Sequence, residues 1–161
     1  MLVDATLGLA VAAAVANGLM AGATLDQSVK QLPARHRIGP VAYAAYARAA
    51  DLTGGLRWYP ALAAVVVLST GAAVVTGLLD HPDRWRVVAL LAVGVGTVAH
   101  MLVTARAAPT VLSLRRLPDD DADRIAAVLE RFARLQTLRA GLQVAALAAA
   151  VWVLLATPAA G

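Results

Sequence analysis

Seven side chains stand where apolar surroundings make a polar group expensive: Asn17, Tyr59, His100, Arg106, Gln136, Arg139 and Gln143. Polar groups inside lipid tend to turn toward the protein interior and to mark functional sites. His100 is the candidate base, because an unperturbed imidazole titrates near pH 6.5 and can accept a proton from a weakly acidic C–H. Arg139 and Asn17 are candidates to stabilise an oxyanion, and Gln143 to orient a substrate. Gln136, Arg139 and Gln143 fall at i, i+3 and i+7, so they share one helical face. Tyr59 and Arg106 lie at matching depth on other segments, Thr104 shares a face with His100, and Ser69 and Thr70 lie near the middle of the second span. This convergence predicts a polar pocket in one half of a helical bundle. The catalytic candidates are His100 and Arg139; the substrate-binding candidates are Asn17, Tyr59, Arg106, Gln136 and Gln143.

The elements that must position these groups are apolar helices. The chain is 60% hydrophobic with a mean hydropathy of +0.71, well above the roughly 45–50% apolar content of soluble domains. About 20 apolar residues in a helix cross the hydrocarbon core. Four stretches qualify, at about 5–25, 58–79, 87–108 and 138–157. They are continuous apolar runs without period-two alternation, so helices are expected rather than a barrel. The 161 residues suit one domain, an all-α four-helix transmembrane bundle. The first span resembles a secretory leader, but the only early charge is Asp4 and no basic residue precedes it, so it is read as retained.

Charge sets the expected orientation. Lys30, Arg35, Arg37, Arg48 and Arg57 follow the first span, and Arg106, Arg115, Arg116, Arg124, Arg131, Arg134 and Arg139 surround the last connection. The 80–86 hairpin carries Arg84 and Arg86 alone. Positive charge stays inside, so both long loops are expected in the cytoplasm and both termini outside a cell membrane. Each long loop should hold an amphipathic helix. Pro40 to Asp51 reads as one, with Pro40 in its first turn, Gly54-Gly55 as its stop and a Tyr43, Ala47, Ala50 face for the membrane surface. Asp119 to Asp121 should start the other. Its stripe is Ile125, Val128, Leu129, Phe132 and Leu135, with Glu130–Arg134 as an i,i+4 pair, and no breaker separates it from the fourth span. Gly18-xxx-Gly22 and Ala92-xxx-Gly96 are small-residue patterns that let helices approach closely.

Several chemistries fall away. There is no cysteine, hence no disulfide, thiolate ligand or iron–sulfur cluster. Haem between helices wants a second facing His or Met, and His100 stands alone within a span. A di-iron site needs several inward carboxylates, and Glu130 is the one Glu. No P-loop, dinucleotide fingerprint or nucleophile elbow is present. Asp119, Asp120, Asp121 and Asp123 read as a helix cap in preference to a cation site. The net charge of +4 is accounted for by topology and anionic lipid, so no nucleic-acid partner, no metal and no cofactor is expected.

Other patterns point to a family. The Gly-containing first span is followed by Leu32-Pro33 in a polar loop, and Trp58-Tyr59 opens the second span. Arg106 and Pro109 follow the third, and an amphipathic run from Phe132 through Gln136 to Arg139 leads into the fourth. In this order, over nearly the whole chain, the sequence resembles the anthrone oxygenase family of small four-span membrane proteins. Most members of that family have no known function. The resemblance implies oxidation of an anthrone, a reduced polycyclic polyketide, to a quinone without a known cofactor. With no carboxylate in the spans, His100 is left as the proton acceptor.

Two functions follow as expectations. One is cofactor-independent oxygenation of an apolar polycyclic substrate that reaches the pocket from the inner leaflet. The other is a non-enzymatic accessory or structural subunit, in contact with membrane lipids, that docks a protein partner or a second copy through its long cytoplasmic helix. A transporter is a third option, and without a visible internal repeat it needs oligomerisation.

Overall fold

The computed structural model describes residues 2–157, with side chains from Ala5 onward, so the side chain of Asp4 and the last four residues lie outside it. Among the described residues the chain forms α1 (Leu2–Asp26), α2 (Leu32–Ile38), α3 (Pro40–Ala49), α4 (Gly55–Leu79), α5 (Arg84–Leu112) and α6 (Ala122–Leu155). These combine into four rods, Ala5–Ile38, Pro40–Leu79, Arg84–Arg116 and Ala122–Leu155, each long and apolar enough to cross a membrane. The fold is therefore an all-α four-helix bundle. The rods are 33 to 40 residues long, or roughly 50–60 Å at about 1.5 Å per residue. A hydrocarbon core of about 30 Å leaves much of each rod beyond the lipid tails. The excess lies at the end that carries most of the arginines, called the basic end below.

The first connection differs from expectation. Gly54-Gly55 does not stop a helix, and Leu32-Pro33 is not in a loop. A π-turn over Gln27–Gln31 joins α1 to α2, and a second over Ala50–Gly54 joins α3 to α4. The reversal sits at Gly39, whose φ of 86° is a left-handed value that suits glycine. Pro40 then opens α3 at a position where its missing N–H costs nothing. Pro109 likewise lies inside α5 and does not end it.

Packing explains why α3 is not a surface helix. Tyr43, Ala44 and Ala47 are buried with Leu114, Ile125, Leu129 and Phe132 in one core at the basic end. The apolar stripe of α6 is thus covered by the chain itself. Arg48 donates to the carbonyls of Leu114 (2.9 Å) and Leu117 (2.8 Å), and Arg115 donates to that of Leu52, which fastens α3 to the α5–α6 connection. Asp121 starts α6 as expected, its side chain accepting from the Arg124 N–H at 3.3 Å. Glu130 does not pair with Arg134; it accepts from Arg35 at 2.9 Å. That guanidinium holds the Glu130 carboxyl below its usual range.

Within the apolar region α1 packs on α4 and α6, and α5 packs on α4 and α6. Small residues set the spacing. A Cβ added at Gly96 would lie 3.2 Å from the Cβ of Ala146, so α5 and α6 touch almost backbone to backbone there. Gly18 and Gly22 make no such approach, and Gly22 faces outward. The outer faces stay apolar: Val15, Leu68 and Val95 are 58%, 72% and 68% exposed. Side chains this apolar and this exposed need lipid around them.

Candidate functional site

A cavity of about 350 Å³ lies toward the basic end, chiefly between α4 and α5. Leu56, Pro60, Ala63, Met101, Ala108 and Val111 give it apolar walls, and Met20 and Phe132 close it from α1 and α6. Leu56 and Pro60 are exposed on the outer surface as well, so the cavity opens sideways toward the lipid. Its polar groups are Gln27, Asp51, Tyr59, Thr104, His100 and Arg139. An apolar chamber with a few convergent polar groups is the usual form of a small-molecule site.

His100 is fully buried, and its Nδ1 lies 3.2 Å from the backbone oxygen of Arg139. A carbonyl accepts but never donates, so Nδ1 carries the hydrogen. The neutral ring then has its lone pair on Nε2. That atom is buried and has no hydrogen-bond partner among the described residues. The α5–α6 contact thus fixes both the tautomer and the ring's orientation.

Arg139 is held by a relay. Its Nη1 donates to Gln136 Oε1 at 2.7 Å, and Gln136 Nε2 donates to the Thr24 carbonyl at 3.1 Å. Among the described residues Arg139 has no ion pair, and its buried Nε has no partner. Gln136 is completely buried and does not line the cavity; it positions the guanidinium.

Asn17 and Gln143 do not line the cavity either. Asn17 Nδ2 donates to Thr70 Oγ1 at 3.0 Å, and Gln143 Nε2 donates to Asn17 Oδ1 at 2.8 Å. One turn deeper than Arg139, these side chains meet across three helices, with Asn17 paired on both its side-chain atoms and Gln143 Oε1 left without a partner among the described residues. Replacing Gln143 by Leu should leave Asn17 Oδ1 buried without a donor, at a cost of about 1–3 kcal/mol. The double replacement of Asn17 and Gln143 by Leu should recover part of that loss. Thermal unfolding in detergent measures both; equal melting temperatures for all three proteins would contradict the knot.

Arg106 is corrected outright. It is exposed and lies on a different face of α5, beside Arg131 and Arg134. Six residues of α-helix turn about 120° away from the starting face, so Arg106 and His100 diverge. Ser69 is half-buried and bonds the Val65 carbonyl at 2.7 Å, outside the cavity lining. Of the residues expected in the pocket, the structure gathers His100, Arg139, Tyr59 and Thr104.

Asp51 and Gln27 complete the polar rim and were not anticipated. They belong to the two π-turns, and Gln27 Nε2 donates to Asp51 Oδ2 at 3.2 Å. In a pure α-helix Asp51 would stand about 80° from Tyr59; a residue absorbed by the π-turn brings it to within about 20°. Gln27 was open to detection, because it lies seven residues after Met20 on one face. No family model, no curated protein and no solved structure matches this chain.

Proposed function

We propose that the cavity binds an apolar polycyclic molecule with an acidic C–H and oxygenates it with dioxygen, using no cofactor. The observation that carries this reading is the buried, unpartnered Nε2 of His100 at an apolar chamber open to lipid. A substrate dissolved in the bilayer passes between α4 and α5. His100 Nε2 takes a proton from the ring CH₂ that lies across the central ring from a carbonyl, conjugated to it through the flanking aromatic rings. The electron pair delocalises into that carbonyl, and the oxyanion is met by the Arg139 guanidinium. Dioxygen adds to the carbanion, and the peroxide anion recovers the proton from His100. Loss of the second C–H proton with departure of hydroxide then gives the new C=O and one water. The atoms balance as CH₂ plus O₂ to C=O plus H₂O, with dioxygen as the oxidant. The resemblance to the anthrone oxygenase family supports an anthrone as substrate. Asn17 and Gln143 support the bundle in this reading, and they do not touch substrate.

Quinone formation from an anthrone, followed with purified protein in aerobic and anaerobic buffer, tests it. An oxygen-dependent rate well above the protein-free autoxidation is expected; equal rates overturn it. The accessory-subunit reading has less support, since the α6 stripe is already covered by α3.

The chain is oriented in a cell membrane with its basic end in the cytoplasm. Twelve of the fourteen Lys and Arg residues lie at that end, which supports this orientation. Reporter fusions at either terminus should then be active on the outer side only. Cytoplasmic activity from the C-terminal fusion contradicts it.

A further inference from the structure

Arg106, Arg131 and Arg134 border one open depression of about 530 Å³ between α5 and α6, on a different side of α5 from the cavity. Its apolar lining includes Pro109 and Leu135. None of the three guanidiniums has an ion pair among the described residues, and Glu130, the carboxylate in reach of Arg134, is taken by Arg35. Three guanidiniums without an ion pair converge on a concave surface, Arg134 feeling Glu130 only at longer range, and each fork can donate in parallel to phosphate oxygens.

Depth narrows the source of that phosphate. Arg106 lies at the end of the apolar part of α5, and Arg131 and Arg134 lie just before that of α6. One helical turn further into the apolar region, Leu102 on α5 and Leu138 on α6 are 60% and 51% exposed. A phosphate held by the arginines therefore has apolar surface directly beneath it, where acyl chains lie. We infer that this depression is a binding site for the phosphodiester of an anionic phospholipid, with its chains along Leu102 and Leu138. A free phosphate would satisfy the arginines but has no use for the leucines.

Native mass spectrometry of the delipidated protein in detergent tests this, comparing phosphatidylglycerol with phosphatidylcholine of the same chains. Each guanidinium near an anionic lipid contributes about a 5-fold preference, so the wild-type ratio should be on the order of 100-fold. Arg106→Gln, Arg131→Gln and Arg134→Gln should each lower it about 5-fold, and the triple variant should bring it near one. The singles carry the test if the triple fails to fold. A triple of Arg37→Gln, Arg116→Gln and Arg124→Gln removes equal charge from exposed positions at the same end and should keep the ratio. A wild-type ratio near one overturns the site. So does an equal loss in the control triple, which means diffuse charge attraction. Displacement of the lipid by equimolar inorganic phosphate also overturns it, since the arginines then bind phosphate from any source.

Discussion

Replacing His100 by Ala should lower the oxygenation rate by about 10²–10⁴-fold, the usual contribution of a positioned general base. The bundle should survive, because the imidazole's hydrogen bond is one contact to the Arg139 carbonyl and that carbonyl is in a helix. His100→Gln is the sharper variant. Its side-chain amide can still donate toward the Arg139 carbonyl, but it has no basic nitrogen to place at the Nε2 position. A structural role for His100 predicts rescue by Gln; a base predicts none. Comparing both variants with wild type, alongside helical circular dichroism, separates the two. Activity of His100→Gln within a few fold of wild type removes the imidazole from the mechanism.

Replacing Arg139 by Gln should lower the rate by about 10²–10³-fold, the scale seen when a donor to a developing oxyanion is removed. The guanidinium faces a largely apolar cavity and has no ion pair among the described residues, while Asp51 on the rim is engaged by Gln27, so in the proposed reaction its charge is available to an anion formed in the cavity. In the proposed reaction, proton transfer to His100 would place an imidazolium near this cation, and the substrate anion would balance both. The loss should therefore appear in kcat more than in KM, because the neutral substrate gains little from the charge. Arg139→Lys should recover part of the rate by restoring the charge, but not the fork that reaches Gln136. A variant that raises KM alone would show that Arg139 binds the ground state and takes no part in stabilising the anion.

The spans were legible because about 20 uncharged apolar residues in succession admit one structure in lipid. The start of α6 was legible because Asp121 is a strong cap. His100 and Arg139 stood out by cost alone, since ionisable groups in lipid are rare. Depth was also readable, but direction was not. Gln143 and Arg139 share a face, yet a turn of rise sets one against Asn17 and the other against a cavity. Arg106 could have been set aside by helical arithmetic from His100. Asp51 could not be placed, because Gly54-Gly55 reads as a stop and a π-turn leaves no composition of its own. Glu130 found Arg35, distant in sequence, in place of its i,i+4 neighbour, which no local rule anticipates.

The two π-turns record a change of length. A helix of 3.6 residues per turn that accepts one extra residue without breaking widens for a single turn, and everything beyond is re-phased by about 100°. Gln27–Gln31 and Ala50–Gly54 are such places, and they meet through Gln27 and Asp51. Deleting one residue from the second turn, Thr53 for instance, would restore a regular helix and swing α3 by that angle. Tyr43 and Ala47 would leave α6, and Asp51 would leave the rim, while the sequence of the span stayed unchanged. A related chain with one residue fewer here would carry the same polar residues in aligned columns and a differently furnished chamber.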